Sequence, residues 1–410
     1  AAEGCVVDDA MAYSFESSKD TLAQFPETNR IFLRNGNLYR EGEILRQPDL
    51  AAVIQRLQSG GASEFYEGRT ARLIVEDMKA HGGLLTAEDL KTYKAVIRKP
   101  LQGSYRGYDI LTTPPPSSGG VALLEMLNVL EQQDIKSLGF HSADHVHLAV
   151  EAMRRAYADR AGLLGDPDFA SMPLDHLVSK EYARELFAGI DRNRATPSSS
   201  VDRGSAHEPE SHDTTHFSIA DHEGNLVSNT YTLNASFGSR VTVPGTGILM
   251  NDEMDDFTSK PGVPNLYGLL QSEANAILPR KRPLSAMTPT FVLKEGRPYL
   301  VLGTSGGSTI INTVLQVIMN LVDFGMNLQE AVDAPRFHHQ WMPDVIFSDP
   351  IGISPDTRRL LEERGHKFSK EYFYDDTNYF GDVQAILIDP KAGGYYGASD
   401  TRLGGAPAGY

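Results

Sequence analysis

Apolar residues recur at helical spacing through most of the chain up to about residue 190; beyond residue 213 the rhythm becomes alternation. "DLAAVIQRLQSGG" predicts a helix stopped at Gly60, and "YEGRTARLIVEDMKAHGG" repeats the device with a stop at Gly82. "LLTAEDLKTYKA" opens on a Thr86 cap with acids in its first turn. "SYRGYDILTT" reads as one strand, "PPPSSGG" as a rigid turn, and "VALLEMLNVLEQQ" as the helix leaving it. "SADHVHLAVEAMRRAYADRAGLL" predicts a long amphipathic helix with an apolar stripe through Val146, Val150, Met153 and Tyr157. A shorter helix, "SKEYARELFAGI", precedes a polar linker rich in Pro, Ser and charge at about residues 192–213. The linker is the one strong boundary, and there is no internal repeat.

The strand-rich part opens with "TTHFSIADHEGNLVSNTYTLN", which predicts a hairpin with the loop His222-Glu223-Gly224. Gly224 supplies the left-handed residue that three-residue hairpin loops favour. Pairing Asp221 with Asn225 then sets Ser218 opposite Ser228, His216 opposite Thr230 and Thr214 opposite Thr232. One face becomes small and polar, with Thr214, His216, Ser218, Ser228, Thr230, Thr232 and Asn234. Phe217, Ile219, Val227, Asn229 and Tyr231 share the other, mostly apolar face. On an antiparallel sheet the polar face is ordinarily the solvated one.

Three clusters carry candidate chemistry. "GRPYLVLGTSGGSTIINTVLQVIMNLVDFG" runs strand, glycine turn, apolar helix, so the N–H groups of Gly306 and Gly307 stand at a helix start where a negative oxygen is stabilised. Losing one such donor costs about 2.7–4 kcal/mol of barrier; the competing reading is a tight turn that needs small residues. The same stretch fits G-x-S-x-G with Ser305 as nucleophile, an α/β-hydrolase elbow. Its acid and base would be Asp333 and His338 or His339, which lie too close together in sequence for that fold. "GILMNDEMDDF" gathers Asp252, Glu253, Asp255 and Asp256, as a solvated turn or as carboxylates that hold a substrate ammonium. Calcium-loop grammar is missing there. His145 with His147, His338 with His339, and His212 with His216 all lack the spacing of a zinc site.

Composition narrows the field. The 410 residues are 40% hydrophobic and 22% charged, as in globular proteins, and the net charge of -16 disfavours nucleic acid and anionic membranes as partners. Cys5 is the single cysteine, so no internal disulfide forms. No apolar run reaches the roughly 20 residues of a membrane span. "AAEGCVVDDAMAY" reads as the middle of an element, so the natural N-terminus is expected upstream.

The motifs "DTTHFSIADHEGNLVSNTYTLNASFGS", "GILMNDEMDDF", "SKPGVPNLYG", "KRPLSAMTPT", "GTSGGSTI", "APRFHHQW", "PPPSSGG" and "YGASDTR…AGY" together resemble the γ-glutamyltranspeptidases, N-terminal-nucleophile (Ntn) hydrolases, across nearly the whole chain. The resemblance implies an α+β fold, an αββα sandwich of two stacked antiparallel sheets flanked by helices. It implies a precursor cut between Asp213 and Thr214 into a large-subunit part (1–213, mostly helical) and a small subunit (214–410) that form a heterodimer and together one domain. Thr214 would be the nucleophile, its freed amino group the base. Thr232 would hydrogen-bond it, and Gly306 and Gly307 would form the oxyanion hole. Asn234, Glu253 and Asp256 would hold the substrate α-amino group, Ser285 its α-carboxylate, and Tyr267 would lie in a closing loop. The substrate class is glutathione and other γ-glutamyl compounds; no cofactor or metal is implied, and the family setting is periplasmic or secreted.

Two departures stand out. Ala286 replaces the second serine of the usual pair, and the family arginine for the α-carboxylate belongs to an upstream part of the large subunit that this sequence lacks. The alternatives are a cephalosporin (glutaryl) acylase of the same fold and a non-catalytic, degenerate fragment. Against the acylase, two acids facing an uncharged side chain would be costly.

Overall fold

The structure, a computed structural model, describes residues 1–201, 214–258, 272–369, 380–389 and 393–409. It divides into two compact units, residues 1–98 with 235–252 and residues 99–234 with 253–410.

The first unit is mostly short helices. Pro48–Gly60 ends as predicted, with Gly61 at positive φ closing it. Arg69–Ala80 follows, and Ala87–Thr92 starts on the Thr86–Asp89 capping box. Its core gathers Phe15, Leu22, Phe32 and Leu33, and Phe237 of the returning segment stacks on Phe15. Thr28 Oγ1 donates to Arg240 O at 2.6 Å and accepts from Thr242 N at 3.1 Å, which ties that segment down.

The second unit is built on a six-stranded sheet. Its order is Tyr395–Ser399, Gln384–Ile388, Arg297–Gly303, Thr290–Lys294, Tyr108–Thr112 and Leu101–Tyr105. Every neighbouring pair is antiparallel. The stretch read as one strand is thus a hairpin: Arg106 and Gly107 both take positive φ, the two-residue turn whose twist matches antiparallel strands. Helices Gly119–Leu130 and Thr309–Val322 pack on the sheet, and Ala143–Leu163 packs on Gly119–Leu130. They bury Leu123, Val146, Val150, Met153, Tyr157, Val314 and Ile318 against Ile110, Val292, Leu300 and Leu302.

Thr214–Ala220 and Leu226–Thr232 form the predicted hairpin in the predicted register, Thr214 facing Thr232 and His216 facing Thr230. Gly224 has the positive φ expected of it. Which face is buried reverses the expectation. The hairpin lies on the sheet by its polar face: Ser218 Oγ donates to Gln384 O and Ser228 Oγ to Leu302 O, each at 2.9 Å. Phe217, Ile219, Val227 and Tyr231 are 40–56% exposed. The hydroxyls find carbonyl acceptors on sheet strands, so burying them leaves no unmet donor.

Candidate active site

The hairpin's seat on the sheet depends on one close approach. A Cβ on Gly303 would strike the His216 ring at Cε1, at Nδ1 and, at 2.7 Å, at Nε2, so only glycine fits. Ser218 gives its one proton to Gln384 O, so it accepts at 3.2 Å from His216 Nε2–H, and His216 Nδ1 accepts from the Thr230 hydroxyl at 2.7 Å. Burial lowers the His216 pKa to about 4. This neutral, doubly bonded imidazole holds the strand that begins at Thr214.

The glycine turn follows directly. Gly306 and Gly307 have φ of 122° and 53°, and Gly306 approaches Gly381 so closely that a Cβ would sit 3.0 Å from its Cα. Their carbonyls accept from Thr309 N and Ile310 N, which starts the helix, while neither glycine N–H donates to an acceptor among the described residues. Two backbone donors at a helix start thus remain available.

A third wall comes from Ser285. Its carbonyl accepts from Ser118 N and Ser118 Oγ, both at 2.7 Å, and its N–H donates to Pro116 O at 3.0 Å. Ser117 Oγ adds a bond to Met287 O at 2.6 Å. The "PPPSSGG" turn is therefore a cradle for the segment carrying Ser285 and Ala286. The fourth wall is the 3-10 turn Glu253–Asp256, moored by Asn275: its Nδ2 donates to Asp256 O at 2.7 Å and its Oδ1 accepts from Leu284 N at 2.9 Å. One buried amide links the acid turn to the serine segment.

These walls enclose a narrow cavity of about 30 Å³ lined by Thr214, Thr232, Asn234, Asp256, Ser285, Ala286 and Gly307, together with Arg160, Met287 and Ile310. Asn234 takes positive φ there, and its N–H donates to Thr232 Oγ1 at 2.9 Å. Among the residues expected from sequence, Gly306 stands one position behind the lining and Glu253 three positions before Asp256; neither lines the cavity. Asp213 and Tyr267 lie outside the described residues. Sequence reasoning missed Arg160, although a signal existed: Arg160 continues the 146, 150, 153, 157 stripe in step. The helix itself is not amphipathic as expected, since His145–Ala161 is buried on every face, polar residues included.

Other clusters do different work. A cavity of about 770 Å³ in the first unit, between Asp9–Glu16 and Arg34–Glu43, holds no comparable set of nucleophile and donors. The hydrolase elbow is not assembled: Asp333 accepts from Gln329 and Thr401, His338 bonds to Asn312 and Gln340, and His339 to Asp344. His147, Glu151 and His366 cluster at metal-site distances. Their facing atoms are already engaged, since Glu151 pairs with Arg154 and Arg155, and His147 Nδ1 accepts from His366 Nε2–H at 2.7 Å. Thr196 N and Oγ1 also donate to Glu151, so this network clamps the segment before the linker.

The model of the family described as Gamma-glutamyltranspeptidase matches residues 1–410. The glutathione hydrolase proenzyme of Escherichia coli (strain K12) is 45% identical over 403 residues, spanning 98% of this chain and 68% of that protein. The glutathione hydrolase proenzyme of Pseudomonas sp. (strain A14) is 48% identical over 394 residues, 94% of this chain and 67% of that protein. Among solved structures, the cephalosporin acylase from Bacillus halodurans superposes with a TM-score of 0.82 at 29% identity, over 98% of this chain and 70% of that one.

Proposed function

The chain belongs to the γ-glutamyltranspeptidase family, and from that premise we propose that it transfers γ-glutamyl groups from glutathione-like amides to water or to an amine acceptor, with Thr214 as nucleophile. The observation that carries the residue roles is that Thr214, Asp256, Ser285 and Gly307 line one cavity although they come from four separate parts of the sequence.

The chemistry begins with a backbone cut between Asp213 and Thr214. The Thr214 hydroxyl adds to the Asp213 carbonyl, the C–N bond breaks to leave an ester, and water hydrolyses that ester. The α-amino group so released has an ordinary pKa of about 7.7–8.0, so its neutral fraction near neutral pH accepts the hydroxyl proton. Thr214 Oγ1 then attacks the γ-carbonyl, and the oxyanion is held by the Gly306 and Gly307 N–H groups. The amine leaves with the proton from the α-amino group, and a γ-glutamyl ester remains. Water or an amine takes the acyl group by the same steps reversed. Thr232, paired with Thr214 across the hairpin, orients the nucleophile.

Asp256 with Asn234 and Glu253 would receive the glutamyl ammonium, and Ser285 the α-carboxylate. Tyr267 is the residue we place in a segment that closes over the glutamyl pocket. The two halves, 1–213 and 214–410, stay together as a heterodimer because strands from both sides of the cut share one sheet. The setting we expect is periplasmic or secreted; no helix among the described residues is long and apolar enough to cross a membrane.

Denaturing mass spectrometry of the complete protein should find a fragment starting at Thr214, and Thr214→Ala should remain one chain. The processed protein should release chromophore from a γ-glutamyl anilide. Release from a glutaryl anilide alone would move the protein to the acylases, and correct cleavage with neither activity would leave a scaffold.

A further inference from the structure

Gly306 and Gly307 do not fix the direction of their own N–H groups, because glycine has the freest backbone of any residue. Something outside the pair must aim them. A trans peptide is planar, with its C=O and N–H on opposite edges, so whatever holds one residue's carbonyl aims the N–H of the next.

The Gly306 N–H shares its peptide with Ser305 O, and Thr304 Oγ1 donates to that oxygen at 2.8 Å. The Gly307 N–H shares its peptide with Gly306 O, which accepts from Thr309 Oγ1 at 2.7 Å and from Thr309 N at 2.9 Å. Two buried threonine hydroxyls thus stand behind the two donors. A carbonyl that accepts a hydrogen bond also polarises its peptide, which makes the N–H a better donor.

Thr304 is itself held. Its Oγ1 accepts from Asp382 N at 2.8 Å, so its one proton goes to Ser305 O. Gly381, at a φ of 85°, packs a bare Cα there: a Cβ would strike Thr304 Oγ1 and lie 2.8 Å from Ser305 O. Phe380 O accepts at 2.9 Å from Thr313 Oγ1, on the helix that the turn begins. Gln384, two residues beyond Asp382, pairs with Gly303 and accepts from Ser218 of the nucleophile strand. Residues 380–384 therefore touch both the glycine turn and the strand of Thr214.

We infer that Thr304 and Thr309 are positioning residues whose hydroxyls aim the Gly306 and Gly307 N–H groups at the oxyanion, Thr304 being backed by Gly381 and Asp382. The inference rests on the γ-glutamyl reading above and adds the residues that set its oxyanion hole. Neither threonine lines the cavity, so each acts through a peptide plane and not on the substrate. Removing such a donor outright slows acyl transfer by about 10²–10³-fold, and a swing of the plane forfeits part of that.

The test uses the complete, self-processed protein, with rates counted per Thr214 fragment. Thr304→Val removes the hydroxyl at nearly constant shape, and Thr304→Ser keeps it. For Thr304→Val, kcat/KM for a γ-glutamyl anilide should fall tenfold or more. Inhibition by L-norvaline, which has the glutamyl head but no γ-oxygen to meet the donors, should stay within twofold of wild type. Thr304→Ser should stay within threefold of wild type in kcat/KM. An unchanged kcat/KM in Thr304→Val overturns the inference, as does an equal fall in Thr304→Ser. A fall matched by equally weakened norvaline inhibition makes Thr304 a support of the fold and overturns it too. Should Thr304→Val fail to accumulate or to cleave itself, Thr309→Val takes its place, since the Thr309 N–H still holds Gly306 O. A threefold or larger fall in kcat/KM with unmoved norvaline inhibition then supports the inference, and any other result refutes it. Wild-type protein that processes itself but cleaves no γ-glutamyl anilide defeats the γ-glutamyl reading and this inference with it. Wild-type activity that the variants leave unmoved defeats the inference alone.

Discussion

Gly303→Ala should unseat the nucleophile strand. The added methyl would lie 2.7 Å from His216 Nε2 and nearer still to Cε1 and Nδ1. Ordinary contact begins near 3.4 Å, so the ring must retreat by at least 0.7 Å, the difference between 3.4 and 2.7. Moving straight back would stretch the 2.7 Å bond from Thr230 and the 3.2 Å bond to Ser218 toward or past the limit of a hydrogen bond. Overpacking of this kind costs about 1–3 kcal/mol, and each buried polar group left unmet adds about 1–3 kcal/mol. With partial relaxation the sum is about 2–4 kcal/mol. The strand that yields is the one beginning at Thr214, so self-cleavage and turnover should slow along with the loss of stability. A double-mutant cycle isolates the clash. His216→Ala costs stability by itself, but in that background Gly303→Ala should cost less than 1 kcal/mol, because there is no ring to strike. Denaturant unfolding and the rate of appearance of the Thr214 fragment read both effects. Equal costs of Gly303→Ala with and without His216 would refute the packing argument.

Three further outcomes follow from other parts of the site. Asn275→Ala removes both ties between the acid turn and the serine segment; KM for a γ-glutamyl anilide should rise severalfold, and stability should fall by about 1–3 kcal/mol by denaturant titration. Asp382 lies beside the glycine turn, its N–H donating to Thr304 Oγ1 at 2.8 Å. Burial, and next the neighbouring Asp400, push its pKa up to about 6, against Gln384 and Arg336. With the folded value raised above the unfolded one, the folded state binds more protons between about pH 4 and 6, so this group's contribution to stability declines as pH rises through that window. Asp382→Asn should therefore gain on wild type from pH 4 to pH 7 in thermal melts; a constant difference would contradict the assignment. Asp400→Ala strands the fully buried Arg336 guanidinium, whose NH2 donates to Asp400 at 2.6 Å. Breaking a buried pair from one side costs about 3–5 kcal/mol, visible as a collapse in soluble yield.

The hairpin shows where sequence and structure divide the work. Alternation and Gly224 determined its register residue by residue, because a three-residue loop admits one pairing and a slip would turn every side chain over. The glycine turn was legible for a similar local reason, since a strand, two glycines and an apolar helix leave the N–H groups little choice of direction. Sequence also showed an acid cluster at Glu253–Asp256, but not that Asp256 alone of these lines the cavity. The tertiary structure alone decided which face of the hairpin is buried. Ser218 and Ser228 turn inward because Gln384 O and Leu302 O, far along the chain, stand ready to accept from them. In the same way only the packed fold brought Ser118 and, through it, Ser285 to Arg160. Local periodicity and turn chemistry act over a few residues and are written in their order; a polar group's partner is settled by whichever distant backbone the packing brings beside it.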